Sequence, residues 1–265
     1  MTPTPHPELN HVLDALAQKI AEVLTHKFVG FYLQGSFALG DHDEHSDVDF
    51  IVVLTQEPSA QEVEALQRVH GQIFAMESPW AQHLEGSYFP QSMLADLDQT
   101  GQEVWYLDHG ADRLVRSSHC NTLVVRWVMH NHGVALCGPA AKALVPAVPT
   151  ERFRAEVKDV IVDWGAQLLA NPDRYKNRFY QGFIILTFCR MLRDLHMGTN
   201  ASKQAGARWV VEHWDSTLAG LIERAWLCRP DPAARVREPA DPDDYEQAMA
   251  LVKRVREAAL AYEIP

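Results

Sequence analysis

Two short signals stand close together near the start of the chain: Gly35-Ser36 and, ten residues further on, Asp47-Val48-Asp49. In an extended strand, residues two apart share a face and lie about 6.6 Å apart along it. Asp47 and Asp49 can therefore aim two carboxylates at one place while Val48 and Phe50 pack on the opposite side. Two acids on an apolar strand repel each other and resist leaving water unless a positive charge sits between them. Mg²⁺ suits that role, as a hard cation that takes carboxylate and phosphate oxygens together. Glycine at 35 lets the backbone approach closely, and the Ser36 hydroxyl with nearby N–H groups can hold terminal phosphates. Ser46, just ahead of the acids, offers another hydroxyl. A third carboxylate, Glu85 in Leu84-Glu85-Gly86-Ser87-Tyr88, falls on a further short strand pattern. Beside the aspartates it can take the proton of an attacking acceptor hydroxyl, or share a metal ion. A lone DxD is commonly a solvated turn; the ordered pair, with a strand before the glycine and another carrying both acids, is what points to nucleotidyl transfer from a nucleoside triphosphate.

The elements that must position these residues alternate in type through the first half. Apolar residues recur at helical spacing over residues 8–25, and 28–33 read as a buried strand ended by Gly35-Ser36. Residues 40–46 form a polar loop, 47–54 a β-branched central strand, 60–75 a helix and 82–89 another strand. The second half reads as helices over 111–132, 151–170, 178–195, 202–212, 218–228 and 243–262. Pro139, Pro146 and Pro149 punctuate the switch between the halves. The expected fold is α+β: a domain over residues 1–145 with a mixed sheet and helices, then an α-helical bundle over 146–265.

Composition narrows the function classes. The chain has 265 residues, 47% apolar and 22% charged, which is an ordinary globular balance. A formal net charge of −11 disfavours nucleic acid as a partner and suits a cationic small molecule. Cys120, Cys137, Cys189 and Cys228 are widely spaced and read as buried free thiols in a reducing compartment. With neither a signal-peptide pattern nor a membrane-length apolar run, the expectation is a cytoplasmic monomer away from membranes. The loop Asp41-His42-Asp43-Glu44-His45 reads as a solvated connection rather than a metal cluster, and Trp127, Trp164, Trp209 and Trp214 as helical core.

Leu33-Gln34-Gly35-Ser36 through Ser46-Asp47-Val48-Asp49-Phe50 resembles the signature of the DNA polymerase β-like nucleotidyltransferases. Within them the whole chain resembles the aminoglycoside adenylyltransferases that modify streptomycin and spectinomycin. Gly133-Val134-Ala135-Leu136-Cys137-Gly138-Pro139-Ala140-Ala141 is similar to the segment closing that family's first domain. Cys189-Arg190, Gly198, Ser202-Lys203 and Trp209 match a pattern in its second. The resemblance implies a polymerase β-like nucleotidyltransferase domain followed by a helical domain, with the acceptor bound between the two. It implies ATP as co-substrate, Mg²⁺ on Asp47, Asp49 and Glu85, and phosphate contacts from Gly35, Ser36, Ser46, Arg190 and Lys203. Lys203, at a helix start capped by Ser202, joins a cation to free N–H groups, a combination that favours an anion.

Some positions depart from the family pattern. Asn121 falls where these enzymes tend to carry an aspartate, Trp226 where they tend to carry a tyrosine, and Arg178-Phe179-Tyr180-Gln181 lacks their acidic residues. The departures leave the acceptor open, with Trp105, Asp108 and Asp173 as candidates to line a pocket for a cationic acceptor. Two rivals stand beside the aminoglycoside reading. One is an antitoxin of nucleotidyltransferase type that binds or adenylylates a HEPN toxin; the other is RNA nucleotidyl transfer. The Arg190…His196 spacing also resembles a HEPN ribonuclease motif, which a charged helix face explains more cheaply.

Overall fold

The structure is a computed structural model that describes residues 3–265. Two compact units divide the chain, one running to Val148 and the other spanning Pro149–Pro265.

The first unit opens with α1 (Pro7–Leu24), whose Leu9, Val12, Leu13, Leu16, Ile20 and Leu24 form a fully buried stripe at three- and four-residue spacing. Next come β1 (Phe28–Leu33), the short α2 (Gly35–Leu39) and β2 (Val48–Leu54). Then follow α3 (Ala60–Phe74), β3 (Leu84–Pro90), α4 (Gln91–Ala95), β4 (Val104–Leu107), β5 (Leu114–Ser117), α5 (Leu123–His132) and β6 (Val134–Cys137). Among the described residues the strands make one sheet in the order β5-β4-β3-β2-β1-β6. β2 and β3 are parallel, joined through α3, and the remaining pairs are antiparallel. Such a mixed sheet agrees with the α+β expectation.

Alternation along the strands builds a core on each face. Phe31, Leu33, Val48, Phe50, Val52 and Tyr88 pack with the apolar stripes of α1 and α3. Tyr32, Ile51, Val53, Phe89 and Val104 pack on the other side with Met129, Leu144 and Val145. Asp49 belongs by alternation to this second face and sits at its rim. Gly86 serves the first face: a Cβ there would lie 2.5 Å from the Phe50 ring.

The expected helix over 111–132 is shorter than its periodicity suggests. Residues 114–117 form β5 instead, pairing with β4 from Val104↔Ser117 to Leu107↔Leu114. Helix begins at Leu123, with the Thr122 side chain capping Val125 N–H. An edge strand with a partner on one side gains ladder hydrogen bonds that a short amphipathic pattern alone does not reveal.

The second unit is helical: α6 (Thr150–Ala170), α7 (Arg178–Met197), α8 (Lys203–His213), α9 (Ala219–Trp226), α10 (Pro232–Arg235) and α11 (Pro242–Ala261). α7 is its centre, buried at Ile184, Ile185, Leu186, Phe188, Cys189, Leu192 and Leu195 and packed on α6, α8, α9 and α11. Asp244 ties three helices together, accepting from Gln181 (3.3 Å) and Arg224 Nε (2.9 Å). Asp194 on α7 is buried, with Asn200 Nδ2 at 2.7 Å and Arg193 at 3.1 Å. Burial pushes its carboxyl up to about 6 against the opposing pull of these partners and of Arg190. No helix among the described residues is long and apolar enough to cross a membrane.

Candidate active site

The chain leaves β1 at Leu33, and Gln34 N–H donates to the Asp49 carbonyl at 2.9 Å. That bond seats the next residue, Gly35, against the Asp49 side chain. Gly35 has φ +60°, and a Cβ there would overlap Asp49 Oδ2 and lie 2.7 Å from its Cγ. Glycine alone takes this backbone conformation at little cost and leaves room for the carboxylate. Ser36 follows in the first turn of α2, and its carbonyl accepts Asp41 N–H at 3.1 Å, closing the turn.

The loop that returns to β2 is a structured turn. Ser46 Oγ accepts Asp43 N–H at 2.9 Å and donates to Asp43 Oδ1 at 3.2 Å, so this hydroxyl is engaged in holding the loop. His42 leaves solvent to stack on Phe37, with centroids 4.2 Å apart. Asp47 emerges just ahead of β2, its side chain 41% exposed, and Val48 N–H donates to His83 C=O at 2.8 Å.

Register then brings the third acid in. Asp49 pairs with Glu85 across β2 and β3. Register partners share a face, and neighbouring strands run about 4.8 Å apart. Glu85 is largely buried, and Tyr106 on β4 donates to its Oε1 at 2.7 Å. The same hydroxyl lies 2.9 Å from Asp108 Oδ1, so a single phenolic proton serves two carboxylates. His119 Nε2 and Cys120 Sγ each lie 3.7 Å from Glu85 Oε1. Burial pushes the Glu85 carboxyl above the ordinary range; the Tyr106 hydrogen bond and His119 pull it down, while the charges of Asp47 and Asp108 raise it further. Burial, then the negative charges of Glu85 and Asp49, also holds the Cys120 thiol up, so it stays protonated and donates.

A second group of side chains surrounds Asp47. His109, in the β4–β5 turn, places Nε2 3.3 Å from Asp47 Oδ1 and 3.3 Å from His83 Nδ1. Burial, then His109, lowers the pKa of His83 against the raising effect of Asp47. Sequence reasoning missed Tyr106, His83, His109, His119 and Cys120. Each is an isolated residue of common type, and only strand order shows that β4 and its flanking turns lie beside β3.

Arg190 and Lys203 belong to the helical unit, where Lys203 Nζ sits 4.9 Å from the Phe183 ring centre and Ser202 caps Ala205 N–H at 3.0 Å. Asp108 stands beside Tyr106, Trp105 carries the Arg116 guanidinium over its ring at 5.5 Å, and Asp173 is an exposed residue of the helical unit. Asn121 is a buried support: it donates to the carbonyls of Gln99 (2.9 Å) and Gln102 (2.8 Å) and accepts from the fully buried Arg126 at 2.6 Å. Trp226 stacks under Arg229, and His196 packs on Trp209 and Tyr262. Trp127, Trp164, Trp209 and Trp214 are half-buried rather than core; the Trp164 ring stacks on Phe188 with centroids 5.0 Å apart. All four cysteines are free thiols; Cys137 is half-buried and the others are buried.

Comparison with known proteins fits this arrangement. Residues 17–81 match the model of the nucleotidyltransferase domain, a stretch that holds Gly35, Ser36, Asp47 and Asp49. Together with the fold, that match defines the class: the protein is a nucleotidyltransferase. Residues 143–256 match the aminoglycoside adenylyltransferase C-terminal domain. The chain is thus an aminoglycoside adenylyltransferase-like nucleotidyltransferase. Among solved structures it is similar in fold to the spectinomycin adenyltransferase AAD(9) from Enterococcus faecialis, crystallised with ATP and spectinomycin. The TM-score is 0.69 at 16% identity, covering 94% of this chain and 98% of that one. A search of curated proteins gives no match.

Proposed function

We propose that the protein transfers AMP from ATP to a hydroxyl of a cationic small molecule, an aminoglycoside such as spectinomycin or streptomycin, and releases pyrophosphate. The observation that carries this reading is the meeting of Asp49 with Gly35 on one side and with Glu85, its register partner, on the other. The donor set fits Mg²⁺. Asp47 and Asp49 offer hard carboxylate oxygens, and Glu85, the register partner of Asp49, adds a third acid whose repulsion a cation relieves. Bound there, Mg²⁺ would neutralise and orient the phosphates.

The chain's own residues supply the rest. The Gly35-Ser36 turn offers backbone N–H groups and a hydroxyl to the phosphates. Ser46 supports it indirectly through the loop that delivers Asp47. Glu85, oriented by the hydrogen bond that Tyr106 donates to its Oε1, accepts the proton of the acceptor hydroxyl. The acceptor oxygen then bonds to the α-phosphorus as the bond to pyrophosphate breaks. Lys203 and Arg190 are assigned to neutralising the triphosphate charge. The acceptor is drawn by the acidic character of the protein, at −11 overall, and by carboxylates such as Asp108 beside the site.

The test is pyrophosphate release from ATP with Mg²⁺ and a panel of aminoglycosides, in wild type and Asp49→Asn. Turnover with spectinomycin or streptomycin, lost in the variant while its melting temperature stays near wild type, is the expected result. An Asp49→Asn protein with full activity removes the carboxylate pair from the mechanism. Turnover on a different acceptor removes only the drug.

A further inference from the structure

The turn between β4 and β5 and the residue ahead of β3 bring two imidazoles onto Asp47. His109 Nε2 lies 3.3 Å from both Asp47 Oδ1 and His83 Nδ1, and the three atoms all fall within 4.8 Å of one another. Ligands held 2.0–2.2 Å from a tetrahedral zinc ion are themselves roughly 3.3–3.5 Å apart. Two edges of such a site already have that length, and the third is no longer than 4.8 Å. The two histidines are also held from behind. His83 C=O accepts Val48 N–H at 2.8 Å, and His109 N–H donates to Asp108 Oδ1 at 3.1 Å. Asp47 and His109 keep 41% and 26% of their side-chain surface exposed, so an ion has access.

The donor chemistry separates this group from the carboxylate pair. Mg²⁺ takes oxygen ligands and sheds water reluctantly, whereas imidazole with carboxylate suits Zn²⁺ and the later transition metals. Three protein ligands with one open position is the usual count for a zinc site that still admits an exchangeable ligand.

We propose that Asp47, His83 and His109 form a second divalent-metal site of the zinc class that shares Asp47 with the Mg²⁺ pair. His83 ligates through Nδ1 with its proton on Nε2, and His109 through Nε2 with its proton on Nδ1, so neither ring loses a proton. A zinc ion here withdraws Asp47 from the nucleotide's metal and inhibits transfer. That consequence rests on the role proposed above for Asp47; the binding itself does not.

Calorimetric titration of the full chain with Zn²⁺ in excess Mg²⁺, without nucleotide, separates the two. One Zn²⁺ is expected per chain in wild type and in Asp49→Asn. His83→Asn and His109→Asn should each bind it about tenfold or more weakly, on the scale by which altered zinc ligation costs affinity. Melting temperatures verify folding of each variant. Co²⁺ gives a readout independent of any substitution: intense tetrahedral absorption bands in wild type support the site, and the weak spectrum of an all-oxygen octahedral site overturns it. Zn²⁺ affinity unchanged from wild type in both histidine variants, or loss of binding in Asp49→Asn alone, also overturns it by returning the metal to the carboxylates. In turnover assays Zn²⁺ should inhibit wild type more strongly than either histidine variant.

Discussion

Replacing Gly35 by alanine isolates the contact on which the site depends. The added methyl meets two penalties. At φ +60° a non-glycine residue costs about 1–2 kcal/mol. The overlap with the Asp49 carboxylate drives that side chain off its rotamer for about another 0.5–1.5 kcal/mol. The sum, about 1.5–3.5 kcal/mol, leaves a domain of ordinary stability (about 5–15 kcal/mol) folded. Turnover should fall much further than the folded fraction, by about 100-fold, because a displacement of the order of 1 Å at a reacting centre costs that much. Gly40→Ala provides the comparison. It has φ +74° but nothing within 4 Å of its would-be Cβ, so it meets the backbone penalty without the clash. Urea unfolding and pyrophosphate release on both variants decide the matter. Gly40→Ala should lose about 1–2 kcal/mol and keep its rate. Gly35→Ala retaining activity within a few-fold, or Gly40→Ala losing as much as Gly35→Ala, refutes the claim that this glycine exists to seat Asp49.

Three further outcomes are expected. Tyr106→Phe removes the hydroxyl shared by Glu85 and Asp108 and should lower kcat by about tenfold while costing about 1.5–3 kcal/mol by urea unfolding, the worth of a hydrogen bond to a charged group. Asn121→Ala takes from the buried Arg126 its 2.6 Å acceptor and should cost about 1.5–3 kcal/mol by urea unfolding, the worth of a hydrogen bond to a charged group. Asp194, raised to about 6 from an ordinary 3.8, holds more protons folded than unfolded between those values. Its contribution is therefore most favourable at low pH and declines as pH rises through about 4 to 6, by no more than about 3 kcal/mol. Asp194→Asn should flatten the pH dependence of stability across that window; an unchanged slope would show that the buried carboxylate is not its source.

The nucleotidyltransferase class was legible in the sequence because its signal is local. A strand, a glycine-serine turn and a second strand bearing Asp49 are fixed by short-range spacing, although Asp47 itself falls just ahead of β2. Helices over the second half were legible for the same reason, since 3.6-residue periodicity persists along α6, α7 and α11. The strands β4, β5 and β6 were not, being four residues each and stabilised by neighbours rather than by pattern. Tertiary structure alone decided the company these acids keep. The order β4-β3-β2 sets Tyr106 against Glu85, and the turns at their ends set His83 and His109 against Asp47. It also made Asn121, in sequence only a departure from the family pattern, the buried partner of Arg126. Pairings across a sheet join residues with no fixed separation along the chain, so their chemistry is invisible until the strands are laid side by side.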